Sequence, residues 1–309
     1  MFAGRFGRSS VNVRRRHGVG IGERSATQRR TGDADGVRYA VLADLHGRPK
    51  ALRRILAAAA VAGADEIVCL GDYLEAKVPR RLHDPARFWP LDRVVDPDPV
   101  LWSRLAGIRR VLGNQELRIR ELLRPGQVPP DLAVLLDAPE RDRLHGVLGL
   151  HGHQIRWTTG RAEPAGGPVE PAGGAIELAG VAGQSPVDGR DLLVPVAADV
   201  PRVPVVVVGH THQEAVFEIV WSSAASGGDA ADAPATRLAG SAATVRALLV
   251  EPGQPVLVHG PSRVARRPGA SLPGTSTLVV NVGPARGKPS HWMLYDTDRG
   301  EMSFQRAVR

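Results

Sequence analysis

The sequence is short of cysteine, of aromatic side chains and of long apolar runs, and each shortage excludes something. A single cysteine in 309 residues, Cys69, rules out an intramolecular disulfide and fits a reducing compartment. It lies inside the apolar run Ile67–Leu70 and reads as a buried filler. Aromatics make up only 4% of the chain, while 35 Gly and 25 Pro imply much loop around the core. No run reaches the roughly 20 apolar residues that a membrane-spanning helix needs. The N-terminal residues also lack the continuous apolar segment of a secretory signal. These absences lead to the expectation of a soluble, cytoplasmic protein that does not use a membrane. With 43% hydrophobic residues, the chain is long enough for one substantial core and has room for a second domain.

Acidic residues are scarce at the N-terminus. Residues 1–36 hold Arg5, Arg8, Arg14, Arg15, Arg16, Arg24, Arg29 and Arg30 against Glu23, Asp33 and Asp35, so this leader carries five of the net +8. One reading is an arm for nucleic acid or another anionic surface. The other is a disordered basic extension ahead of the folded domain, or an upstream start codon. The absence of any helical or strand period favours the extension. The same absence of an amphipathic pattern speaks against an organellar transit peptide. The folded domain is expected over 37–309.

From there, apolar runs alternate with helical segments. Val37–Ala43, Glu66–Leu70, Ile108–Leu112, Gly146–Leu150 and Val203–Val208 read as strands. Ala51–Ala62, opened by Pro49 and closed by Gly63, reads as a helix, which makes the first two strands a parallel pair. Residues 73–98 are rich in Pro, Arg and Asp and read as a loop, followed by a short helix near Val100–Leu105. Gln115–Leu123, Leu132–His145 and Asp191–Ala198 are further helical candidates. Ala215–Trp221, Thr277–Val282, His291–Asp296 and Met302–Arg306 read as later strands. Residues 160–188 and 222–275 are Gly/Ala-rich with scattered Pro and read as low-complexity insertions. The expected fold class is α/β, a two-sheet β-sandwich flanked by helices.

Each of the five early strands ends on residues that can hold a metal. In order these are Asp44-Leu45-His46, Gly71-Asp72, Gly113-Asn114, His151-Gly152-His153 and Gly209-His210-Thr211-His212. A shared sheet gathers the C-terminal ends of its parallel strands along one rim, so these oxygen and imidazole donors would meet there. Taken singly, each has an ordinary explanation: Asp44 as a helix cap, Asn114 as a turn residue, His46 or His153 as a polar residue at a strand end. The series outweighs them. Two Asp, one Asn and four His exceed what one ion needs and suit two divalent ions sharing a carboxylate, an arrangement that serves phosphoryl transfer.

This series, with Glu116 following Asn114-Gln115 and the later Val280-Asn281-Val282-Gly283-Pro284, resembles the calcineurin-like metallophosphoesterase superfamily. Within it, small bacterial phosphodiesterases of the YfcE-like type are the nearest in pattern. The resemblance runs from about Val37 to Arg306 and implies αββα layers around a dinuclear centre. It implies that Asp44, His46 and His212 hold one ion, that Asn114, His151 and His210 hold the other, and that Asp72 bridges them. The ions would be Mn, Fe, Ni, Zn or Mg. His153, beside a ligand, would contact the phosphate or orient the site. The implied activity is hydrolysis of a phosphoester or phosphodiester bond in a small phosphorylated molecule or nucleotide, with nucleic acid a less supported partner.

Two departures bear on that activity. The family pattern has His after the Asn, where this chain has Gln115, which can donate a hydrogen bond to a phosphoryl oxygen but cannot act as a general acid. After Asp72, where protein-phosphatase-like members carry Asp, Arg and Gly, this chain reads Tyr73-Leu74-Glu75-Ala76-Lys77, which argues against a protein substrate. The alternative to an enzyme is a catalytically weak member of the fold that works as a binding or scaffold module.

Overall fold

The computed structural model describes residues 36–84, 86–160, 176–179, 191–221, 243–248, 250, 253–258 and 276–308. The basic leader lies outside these but for Gly36, as does most of both insertions.

Two sheets face each other. The first has six strands in the order β12-β15-β14-β1-β2-β3, with β1 at Arg38–Leu42, β2 at Glu66–Leu70, β3 at Arg109–Val111, β12 at Pro255–Leu257, β14 at Ser290–Asp296 and β15 at Glu301–Ala307. The second has seven in the order β4-β5-β9-β13-β10-β11-β7. These are β4 (Arg141–Leu144), β5 (Val147–Leu150), β7 (Ile176–Ala179), β9 (Val205–Val208), β10 (Glu214–Trp221), β11 (Ala243–Leu248) and β13 (Ser276–Val282). Strands β1, β2 and β3 run parallel, as do β5, β9 and β13.

The period-two alternation of the strands sorts their side chains into layers. Along β1, Tyr39, Val41 and Ala43 pack between the sheets, whereas Ala40 and Leu42 face the helices. The four valines of β9 are all buried, Val205 and Val207 between the sheets, Val206 and Val208 on the outer face. That is the composition expected of a central parallel strand covered on both sides. Tyr39 and Tyr295, partners across β1 and β14, stack with centroids 5.9 Å apart in the same inner layer.

Helices α1 (Pro49–Val61), α3 (Pro99–Ala106), α4 (Asn114–Leu122) and α5 (Pro130–Leu136) cover the outer face of the first sheet, with the single turn α2 at Leu91–Val94. In α1 the residues Leu52, Ile55 and Ala59, spaced three and four apart, form the buried stripe. Pro99 opens α3 at a position that needs no N–H, and Asp98 caps it by accepting from the Leu101 N–H at 2.9 Å. Among the described residues, the outer face of the second sheet is covered by the ribbon of β6 (Trp157–Gly160) and β8 (Leu192–Pro195).

Two helical expectations give way to strands. Leu132–His145 is helical only to Leu136, after which β4 pairs antiparallel with β5. Pro139 stops the helix, and Arg109 grips the Asp142 carboxylate through Nε at 2.5 Å and Nη2 at 2.9 Å, so long-range pairing decides the segment. Asp191–Ala198 carries β8, not a helix; Pro195 cannot sit inside one, and Gln213 Oε1 accepts from the Leu193 N–H at 2.8 Å. Strands β7, β11 and β12 fall within the two stretches read as insertions, where Gly and Ala mask the alternation.

Candidate metal centre

The C-terminal ends of β1, β2, β3, β5 and β9 bring the expected residues to one rim. Backbone hydrogen bonds join the first two turns: Asp44 N–H donates to the Gly71 carbonyl at 3.1 Å and His46 N–H to the Asp72 carbonyl at 2.8 Å. Two glycines allow the turns to close. A Cβ on Gly113 would lie 2.2 Å from Asp72 Oδ1, and one on Gly209 would lie 2.3 Å from the Ala43 Cβ. Asp44, His46, Asp72, His210 and His212 all have positive φ, between 50° and 76°, where β-carbons are unwelcome. Such strain persists only where surrounding structure enforces it, and it concentrates at functional sites.

Two clusters of donor atoms result. In the first, ligand atoms of Asp44, His46 and His212 lie within 4.8 Å of one another. His212 Nε2 is 3.3 Å from Asp44 Oδ1 and 3.2 Å from His46 Nε2. In the second, Asp44, Asp72 and His151 meet the same criterion. Here His151 Nε2 is 3.3 Å from Asp72 Oδ2, 3.1 Å from Asn114 Oδ1 and 3.3 Å from His210 Nδ1. Asp44 belongs to both clusters, and Asp72 Oδ2 also lies 4.0 Å from His46 Nε2, so two carboxylates stand within reach of both. Separations of roughly 3.3 Å are the edge of a tetrahedron with bonds of about 2 Å, the length of first-row metal–nitrogen bonds. Asp44 is fully buried, and among the described residues its Oδ1 accepts no hydrogen bond, which leaves a charged acceptor for a cation to satisfy.

The partners behind the imidazoles fix their tautomers. His151 donates from Nδ1 to the Leu70 carbonyl at 2.7 Å, and His46 from Nδ1 to Glu75 Oε2 at 2.5 Å. In the neutral ring each acceptor leaves Nε2 bare and facing the cluster, which is the requirement for a ligating imidazole. Glu116, fully buried at the start of α4, ties two turns together. Its Oε2 accepts from the Asp72 and Gly113 N–H groups at 2.8 Å each, and its Oε1 from the Leu74 N–H at 2.7 Å.

Electrostatics follow from this packing. Burial, reinforced by the charge of Asp72, pushes the Glu116 carboxyl up to about 8 against the pull of its N–H donors. Burial alone would raise Asp72, but the charge and hydrogen bond of His151, with the Gln115 N–H, hold it below the usual carboxylate range. Burial would lower His151, yet Asp72 and Asp44 raise it to about 9. Burial and the charge on His151 pull His210 down to about 4. Cys69, buried on the helix side, has its thiol pushed well up by burial and is inert filler.

Sequence matching settles the family. The calcineurin-like phosphoesterase model matches residues 37–214, more than half of the chain and the span that holds all five motifs. The chain belongs to the calcineurin-like phosphoesterase family. No curated protein matches it. Among solved structures it is similar to a metallophosphoesterase from Sphaerobacter thermophilus, at 14% identity and a TM-score of 0.43, covering 88% of each chain. It is also similar to Yfce, a phosphoesterase from E. coli, at 15% identity and a TM-score of 0.34, covering 88% of this chain and 100% of that one. A putative diadenosine tetraphosphatase aligns at 15% identity and a TM-score of 0.35, covering 90% and 97%.

Two residues flagged by the motifs stand apart from the donor clusters in this member of the family. His153 packs against the rings of His151 and His210, at centroid distances of 5.6 and 6.4 Å, and its buried Nδ1 has no hydrogen-bond partner among the described residues. Gln115 turns its carbonyl away: Oε1 accepts from the Ala76 N–H at 3.2 Å and from Arg118 Nη1 at 3.3 Å. Its NH2 is the end left to donate. Sequence reading missed Glu75 and Arg286. In the sequence Glu75 stands out only as a departure from the family pattern. Its role shows once the β1 and β2 turns are side by side.

Proposed function

We propose that this chain is a hydrolase of a phosphoester or phosphodiester bond in a small molecule or nucleotide, working with two divalent ions. The observation that carries this reading is the pair of donor clusters that share Asp44, with Asp72 Oδ2 3.3 Å from His151 Nε2 and 4.0 Å from His46 Nε2, and with the buried Asp44 Oδ1 accepting no hydrogen bond among the described residues. Asp44, His46 and His212 would hold one ion; Asn114, His151 and His210 the other; Asp72 would serve both. When bound, such a pair polarises phosphoryl oxygens and makes water a nucleophile near neutral pH.

The chain's own residues do the rest. Glu75 and the Leu70 carbonyl hold His46 and His151 in the ligating tautomer. Glu116 keeps the Asp72 and Asn114 turns in register through main-chain hydrogen bonds. The Gln115 amide donates to a phosphoryl oxygen but has no proton to give a leaving group. The family's breadth leaves mono- and diesters both open, and the missing acid favours substrates whose leaving group departs unaided.

The test is elemental analysis of the purified protein, followed by assay of a chromogenic phosphodiester and its monoester with Mn²⁺. Two ions per chain, and turnover lost to a chelator and restored by metal, are expected. A protein that takes up no stoichiometric metal and turns over neither ester would be a binding module instead.

A further inference from the structure

The histidines of the site differ in what stands behind them. His46 and His151 have acceptors, Glu75 and the Leu70 carbonyl, at their outer nitrogens. His212 has a donor. Arg286 Nη2 lies 3.1 Å from His212 Nδ1, and a guanidinium has no acceptor to offer. Once His212 ligates through Nε2, its Nδ1 carries the proton, and two donors then face each other. The contact cannot survive ligation. Arg286 is exposed, and among the described residues no carboxylate pairs with it, so its donors are then free to exchange water for an incoming anion.

The loop that carries Arg286 is anchored where that anion would sit. Between β13 and β14, the Ala285 N–H donates to the Ala43 carbonyl at 2.8 Å and the Arg286 N–H to the Asp44 carbonyl at 3.2 Å. Arg54 Nη2 braces the far side through the Gly287 carbonyl at 3.2 Å and Ser290 Oγ at 2.8 Å, with Ser290 fully buried. A fixed backbone thus places a long cationic side chain over the His212 side of the centre. The Tyr73–Lys77 segment offers no guanidinium from the opposite turn.

We propose that Arg286 binds the substrate's phosphoryl oxygens, its planar fork meeting two of them at once as an arginine does on phosphate. This rests on the two-metal hydrolase reading above. The probe is inorganic phosphate, titrated calorimetrically into Mn²⁺-loaded wild type, Arg286→Lys and Arg286→Ala, with metal content measured on each. Arg286→Ala should keep its metal and bind phosphate roughly 10- to 100-fold more weakly, the loss of one charge-assisted contact. KM should rise in step, and Arg286→Lys should recover part of the affinity. Unchanged phosphate affinity in Arg286→Ala would overturn the assignment while leaving the hydrolase reading intact. Reduced metal content in Arg286→Ala would also overturn it, by showing that Arg286 acts through His212. A wild type that takes up no metal and binds no phosphate would remove both.

Discussion

His151 has no exposed surface and gives its Nδ1 proton to a main-chain carbonyl, whereas His212 leaves 34% of its side chain in solvent and has the long side chain of Arg286 at its Nδ1. The contrast extends across the centre. The half built from Asp72, Asn114, His151 and His210 is held by backbone: Leu70 O behind His151, and Gly113 and Asp72 N–H groups gripping Glu116. In the half built from Asp44, His46 and His212 the anchor behind a ligating imidazole is a side chain, Glu75 at His46, with 48% of that side chain exposed. Main-chain anchors are part of the fold and cost nothing further to order. Side-chain anchors must be immobilised each time, and solvent competes with them. The backbone-held half should therefore bind its ion more tightly and exchange it more slowly.

The strongest test joins the halves. Asp72→Asn should abolish turnover and weaken both ions together, because one carboxylate lies within reach of both clusters. Full metal content with wild-type turnover would remove Asp72 from the bridge. Next comes Gln115, on the backbone-held side. Gln115→His should accelerate esters with poor leaving groups selectively, by up to the roughly 10²–10⁴-fold of a placed general acid. Parallel leaving-group dependences in wild type and variant would show that a missing acid is not what limits the enzyme.

A smaller effect separates the halves directly. Glu75→Ala should lower affinity for one ion of the pair by roughly 10- to 100-fold, the usual cost of losing the partner behind a ligating histidine. The other should be untouched, so a two-step metal titration should spread apart; equal losses at both steps would show that the halves are not independent.

The smallest effect is on stability without metal. His151 titrates near 9 folded against an ordinary 6.5, and Glu116 near 8 against 4.5. Above pH 6.5 the folded chain therefore holds more protons than the unfolded one, and stability falls as pH rises. His210, pulled to about 4, acts in the opposite sense but only below 6.5. In chelator, the Tm should drop between pH 6.5 and 9, and Glu116→Gln should flatten the slope. A Tm that rises over that window would contradict the buried charges assigned to this half.

Much of this was legible beforehand because each donor follows directly on an apolar run. Strand identity and ligand position are then one signal, as at Val205–Val208 before Gly209-His210. Glu75 and Arg286 were hidden for the opposite reason. Their contacts reach across 29 and 74 residues, and only the sheet order brings those turns together. Strands β7 and β11 escaped because each is short and set in Gly/Ala-rich sequence that carries little periodicity. The Leu132–His145 helix overran because Arg-Asp-Arg suits a helix until Arg109 claims Asp142 across the sheet edge.

The left-handed backbone at Asp44, His46, Asp72, His210 and His212 bears on how such a protein would drift if its chemistry were no longer needed. A non-glycine residue held there costs about 1–2 kcal/mol, somewhat less for Asp, so the five together weigh against a total stability of about 5–15 kcal/mol. Random substitution toward glycine or asparagine at any of them relaxes the chain. A lineage selected for shape alone would thus be drawn toward a tougher protein with an emptied rim. At His46, His210 and His212, then, the backbone carries a cost that glycine would not impose.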